Sequence, residues 1–171
     1  MASLIRGIRQ IEALPESYPA ITGVDEADLP IIWQRIEHHI AYRYSAREVI
    51  WHLEADAGEW LPPLAPIVEI TAVQGDDTPA EPELGSFGYK LACGQTSITA
   101  TVGAGPVPEA VSEAARRLSR YLAQEAELPP GFTRVDSGEL SIAVSRRDIT
   151  PAMALQNSGA ADLLRAFRKV A

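Results

Sequence analysis

The sequence predicts an α+β fold: a small helical bundle of two long amphipathic helices and shorter C-terminal helices, with a small antiparallel β-sheet or hairpin. Three observations carry that expectation. Two segments place apolar residues at helical spacing, several short runs are rich in β-branched residues, and prolines and glycines punctuate the chain between them. At 171 residues and 46 % hydrophobic content, the chain suits one domain with one modest core.

Residues 1–24 are expected to form an extended N-terminal arm. Pro15 and Pro19 break up any period, and a free arm of this length is either disordered or docked on a neighbour. The first helix follows: Asp25 and Asp28 are candidate caps, and Pro30, tolerated only in a first turn, places the cap near Asp28. Leu29, Ile32, Trp33, Ile36, Ile40 and Tyr44 fall on one stripe. Short β runs come next, at 48–53 and at 67–73, the latter the clearest. Between them, residues 58–66 hold Pro62, Pro63 and Pro66 and form an irregular link, since a central strand excludes them. Residues 76–85 read as a polar loop, and 87–92 and 97–102 as strands around a turn at Cys93-Gly94-Gln95.

A second helix begins near Pro106 or Pro108, with Val107, Val111, Ala114, Ala115, Leu118 and Leu122 on its apolar face, and ends before Pro129. Another strand is expected at 139–144. Thr150-Pro151 starts a short helix, and Ser158 caps a last one carrying Leu163, Leu164, Phe167 and Val170. The expected organisation is an arm at 1–24, an α+β domain at 25–145 and a C-terminal docking segment at 146–171.

Charge is unevenly placed. The formal net charge is −8, with nine acids and no Lys or Arg between Glu48 and Tyr89. From Ile142 to Ala171, five basic residues face two acids, which makes that end +3 and the remainder −11. An acidic body argues against gripping a phosphate backbone with the whole surface. The asymmetry reads either as a solvated surface with a basic tail or as complementary ends that bring copies together. No apolar run spans a membrane, and the first residues lack the apolar stretch of a signal peptide. A single cysteine, Cys93, excludes an intramolecular disulfide.

Motifs for chemistry are weak. Gly103-Ala104-Gly105 lies where a phosphate-binding loop belongs, between strand and helix, but the third fingerprint glycine falls at Pro108 and no Lys-Ser/Thr pair follows. A tight strand-to-helix turn explains it better. His38 and His39 are adjacent on a helix and point about 100° apart, which does not fit one metal. His52 stands alone. No Gly-x-Ser-x-Gly elbow occurs. The bulk of Trp51, Trp60, Leu61 and Leu64 around the proline link has two readings. It is a loop tucked over the core, or a subunit interface, where Trp is enriched.

Several segments in order resemble the head–tail connector (adaptor) proteins of long-tailed bacteriophages and gene transfer agents. They are residues 35–44 with Arg47-Glu48-Val49-Ile50-Trp51, the link Gly58 to Pro66, the strand-to-helix run Ile98 to Val111, and the closing Ser158 to Arg168. Such proteins run from an N-terminal helix into Arg-x-Val-x-Trp and a proline-rich β link. A strand then leads to Val-Pro at the second helix, and the chain ends on Ala-Leu-Leu-Arg-x-Tyr-Arg or similar. Phe167 stands where Tyr is common. The resemblance covers residues 25–168 and leaves the N-terminal arm out.

The resemblance implies a virion protein of the neck, made in the bacterial host cytoplasm, that forms a homo-oligomeric ring of about a dozen copies under the portal. It implies no catalysis, no cofactor and no metal. The implied partners are the portal protein, a stopper or tail-completion protein, and further copies of the chain, with no membrane. DNA passes through the lumen without specific binding, and an acidic lumen repels phosphate. Portal docking is assigned to Arg146, Arg147, Leu163, Leu164, Arg165, Phe167, Arg168 and Lys169. The subunit interface is assigned to Trp51, Trp60, Leu61 and Leu64. The alternatives are another neck protein, a stopper or tail terminator, of which a stopper would be dominated by β structure, or a small-molecule-binding module resting on Gly103 to Gly105.

Overall fold

The computed structural model describes residues 5–74, 77–127, 135–137, 140–142 and 150–169. The chain divides into two compact units, the first comprising residues 1–19, 37–106 and 168–171, the second residues 20–36 and 107–167.

A four-stranded antiparallel sheet, ordered β1-β2-β6-β4, builds the first unit. Its strands are β1 (Ile5–Glu12), β2 (Arg47–Ala55), β4 (Ile67–Gln74) and β6 (Gly94–Val102). The two central strands alternate strictly. Val49, Trp51, Leu53 and Ala55 on β2 face the core, as do Ile98, Ala100 and Val102 on β6. Their neighbours Glu48, His52 and Glu54 on β2 are exposed. Ile70 of β4 joins the same cluster. A second, two-stranded ladder pairs β3 (Gly58–Trp60) with β5 (Tyr89–Leu91). It brings Trp60 and Leu91 into the core, where the Trp60 ring meets Trp51 edge-on at 5.4 Å.

This architecture corrects the helical bundle with a minor sheet. The sheet is the main core, and four antiparallel strands are its frame. The missing strand was β1, which the sequence reads as part of an arm. By register its Ile8, Gln10 and Glu12 lie opposite Leu53, Trp51 and Val49. Two of those three core-side positions are polar, so the alternation that marks a half-buried strand is absent. Their polarity is satisfied in place: Trp51 Nε1 donates to Gln10 Oε1 at 2.8 Å, and Glu12 is held by arginines. The expected strand at 87–92 is the short β5, and it pairs with β3 rather than with β6. Gly94, at a φ of +121°, opens β6 where a turn was expected.

Helix α1 (Leu29–Ile40) counts with the second unit through Ile36 and with the first from Glu37. A 3-10 turn at Glu26–Asp28 leads into it, capped by Asp25, whose side chain accepts from the Ala27 N–H at 3.0 Å. Of the two candidate caps, Asp25 caps this turn, and α1 itself starts directly after Asp28. The second unit also holds α2 (Glu109–Glu127), α3 (Pro151–Asn157) and α4 (Ala160–Leu164). Val111, Ala114, Ala115 and Leu118 of α2 are buried, as the helical period predicts. Helix α4 packs on α2 and α3. Thr150 caps α3 as expected, accepting from the Met153 N–H at 3.3 Å. A short hairpin pairs β7 (Val135–Ser137) with β8 (Leu140–Ile142). Among the described residues, no helix is long and apolar enough to cross a membrane.

Candidate functional site

Among the described residues, the densest polar cluster lies in the first unit, where β1, the end of α1 and the start of β2 converge. Glu37 is fully buried, and Arg43 and Arg47 nearly so. Glu12 Oε1 accepts from Arg43 Nε at 2.6 Å and from Arg47 Nη1 at 3.1 Å, and its Oε2 accepts from Arg43 Nη2 at 2.9 Å. Glu37 Oε2 accepts from Arg47 Nη2 at 2.7 Å, and Glu37 Oε1 from the Tyr44 N–H at 2.8 Å. The remaining guanidinium donors reach main-chain carbonyls: Arg43 Nη1 at Glu37 O, 2.5 Å, and Arg47 Nε at Ser45 O, 3.1 Å. The Tyr18 ring covers the Arg47 guanidinium at 5.7 Å.

Two carboxylates and two guanidiniums cancel in charge and consume each other's hydrogen-bonding capacity. Burial pushes the Glu12 carboxyl up, but the hydrogen bonds and charges of Arg43 and Arg47 outweigh it and hold it below its ordinary value. Burial, with Tyr42 and Glu37 nearby, raises the Tyr44 hydroxyl to about 12. The cluster is therefore a staple that fixes the sheet edge to α1. An open cleft of about 620 Å³ adjoins it, lined by Leu14, Tyr18, Ser45, Arg47 and Thr101 among others. The arginine faces this cleft with its donors already committed.

The glycine turn is explained by backbone geometry. Gly103 has a φ of +109°, and a Cβ there would stand 2.3 Å from Ser45 O. Its N–H donates to Pro66 O at 3.0 Å, so it is not available to a phosphate. On the outer sheet face, His52 and Ser97 are hydrogen-bonded at 3.2 Å in an open depression shared with Arg9, Glu54 and Gln95.

Exposed apolar side chains of the first unit include Leu14, Leu61 and Val68, and two further groups lie on the sheet edge and a loop. One is the edge strand β1, with Ile8 at 52 % and Ile11 at 42 % exposure. The opposite edge is partly closed, because Ala72 of β4 exchanges both main-chain hydrogen bonds with Ala80. The other is the loop between Glu83 and Tyr89, with Leu84 at 69 % and Phe87 at 81 %.

The predicted interface residues divide accordingly. Trp51, Trp60 and Leu64 are buried in the core of their own unit, so their bulk is explained there and the interface assignment is withdrawn for them. Leu61 alone is exposed. Sequence reasoning missed Leu84, which fell in the expected polar loop at 76–85, and Phe87, which it placed in the expected strand at 87–92.

The docking segment also changes. Arg146, Arg147 and Val170 lie outside the described residues. Leu164 is fully buried, and Leu163 and Phe167 are half-buried, while Arg165 and Arg168 are exposed. The last helix is thus folded onto its own unit instead of hinged outward. Lys169 turns inward: its Nζ donates to Pro62 O and, at 3.3 Å, to Leu64 O, and its N–H donates to Ile40 O at 2.9 Å. Burial lowers its pKa. Only Arg165 and Arg168 of the described docking residues offer a free cationic face.

Comparison of the chain with protein-family models, with curated proteins and with solved structures yields no match.

Proposed function

We propose that this chain is a structural subunit that works by assembling with copies of itself, as a head–tail adaptor under a portal. The observation that carries the reading is the apolar surface of the first unit, Ile8 and Ile11 on an open sheet edge and Leu84 and Phe87 on a fixed loop. Exposed strand edges and rigid apolar anchors mark protein contacts. The ordered motifs from Arg35 to Arg168 and the opposite charge of body and C-terminal end point the same way.

The test is electron microscopy of the purified chain with and without a portal ring. Rings, alone or seated on the portal, are the expected result. A chain that stays monomeric and ignores the portal overturns the reading.

A second reading is another neck protein, a stopper or tail terminator. The sheet-rich core favours it, since a stopper was expected to be β-dominated. The same experiment with a portal ring, an adaptor ring and a tail tube as separate targets distinguishes the two readings.

A further inference from the structure

We infer that β1 is an exchangeable strand: the N-terminal arm of one copy of this chain leaves its own sheet and fills the same groove on a neighbouring copy. The inference rests on the assembly reading above and names the segment that makes the contact.

The strand is held by main-chain pairing and polar side chains, with little apolar burial. Of its eight residues, Ile5 and Glu12 are half-buried and the other six are exposed. Its ladder with β2 runs from Ile5 opposite Ala55 to Glu12 opposite Val49, and the Ala13 N–H extends it to Glu48 O at 2.9 Å. Two side chains fix the register: Gln10 through Trp51, and Glu12 through Arg43 and Arg47. A slip by one residue would turn both away from these partners. Detaching β1 therefore uncovers little of the hydrophobic core, which places it among the elements that open at low cost.

The groove it leaves selects what refills it. Arg43, nearly buried, would lose the Glu12 carboxylate, Trp51 Nε1 would lose its acceptor, and the edge of β2 would lose its ladder. Buried donors without acceptors are costly. The groove thus requires an extended segment with an amide and a carboxylate two residues apart on one face. The β1 strand of a second copy is such a segment, and it restores every one of these contacts.

The tether has the length for it. Residues 13–25, between β1 and the 3-10 turn, hold no helix or strand, and Pro15 and Pro19 favour an extended path. Thirteen extended residues span up to about 40 Å. When each copy gives its strand to the next and receives one from the copy before, the contact is head-to-tail, the kind that closes rings.

The experiment locks the strand where it lies. Opposed residues of an antiparallel ladder stand about 4.5–5.5 Å apart at Cα, within reach of a disulfide. Arg9 and His52 are opposed on the outer face. The full chain carrying Arg9→Cys/His52→Cys and Cys93→Ser is prepared isotopically light and heavy, mixed, and oxidised at assembling concentration and at high dilution. At assembling concentration, non-reducing electrophoresis should show a ladder of covalent multimers, and mass spectrometry should find peptides 9 and 52 joined between light and heavy chains. At high dilution the bond should close within single chains. Ile11→Cys/Ile50→Cys, also in register, repeats the test if the melting temperature of the reduced first variant shows damage to the fold. If the wild type assembles and both pairs close only within single chains, strand exchange is overturned while the assembly reading stands. If the wild type stays monomeric at every concentration, the assembly reading falls and strand exchange falls with it.

Discussion

Glu12 and Glu37 show how the same residue type takes different roles according to its partners. Glu12 keeps a 17 % exposed side chain and pairs with both Arg43 and Arg47, while Glu37 keeps almost none and its carboxylate pairs with Arg47. Because the folded Glu12 pKa lies below its unfolded value, its contribution is present above the ordinary carboxylate range and is lost as pH falls through the folded value. Urea titrations of the wild type should therefore show stability dropping as pH falls below about 4.5. Glu12→Gln should be less stable at pH 7 and have a flatter acid limb; an unaltered limb would remove Glu12 from this role. Arg47→Met strands Glu37 without its cation and should cost about 3–5 kcal/mol, which chemical denaturation can read. None of this pairing was legible in the chain. Glu37 sits beside His38 and His39 in sequence, but its partners come from positions 43, 44 and 47, and the fourth member from position 12. Such contacts exist only after the sheet forms.

Elements with a strong period were legible, and those whose buried side is polar were not. Helices α1 and α2 and strands β2, β4 and β6 follow from their apolar spacing. Strand β1 did not, because Gln10 and Glu12 occupy its core-side positions. The tryptophans near the proline link were correctly seen as a large apolar load, but sequence cannot say whether such a load points inward. Core packing of Trp51 against Trp60 predicts that Trp51→Ala costs about 3–5 kcal/mol in denaturant titration. Leu61→Ala should stay within about 0.5 kcal/mol. Equal costs for the two would contradict the burial seen here. Removal of residues 1–13 deletes β1 and leaves β2 as a new edge beside Arg43, which loses the Glu12 carboxylate. That truncation should aggregate during purification, which light scattering would register.

At the scale of the whole molecule, the uneven charge survives as the most direct sequence signal, while its mechanical reading changes. A terminal helix that swings out on Asn157-Ser158-Gly159 requires Leu164 to be free. Instead Ala160 and Leu164 are fully buried, and Gly159 at a φ of +71° forms a fixed junction before α4. Leu164→Ala is expected to lower stability by about 2–5 kcal/mol, so deletion of residues 158–171 would report on folding and not on docking. Docking to a portal is better tested through Arg165 and Arg168, whose side chains reach water without supporting the core. Rim charges act mainly on association rate and on its salt dependence. Arg165→Glu/Arg168→Glu should keep the wild-type melting temperature and slow association with a portal ring at low ionic strength by about tenfold. The difference should shrink as salt shortens the screening length to about 8 Å at physiological strength. Surface plasmon resonance across a salt series reads both quantities. Identical association rates at every salt concentration would take portal docking away from this end of the chain and leave the exposed loop at Phe87 as the first place to look for a partner.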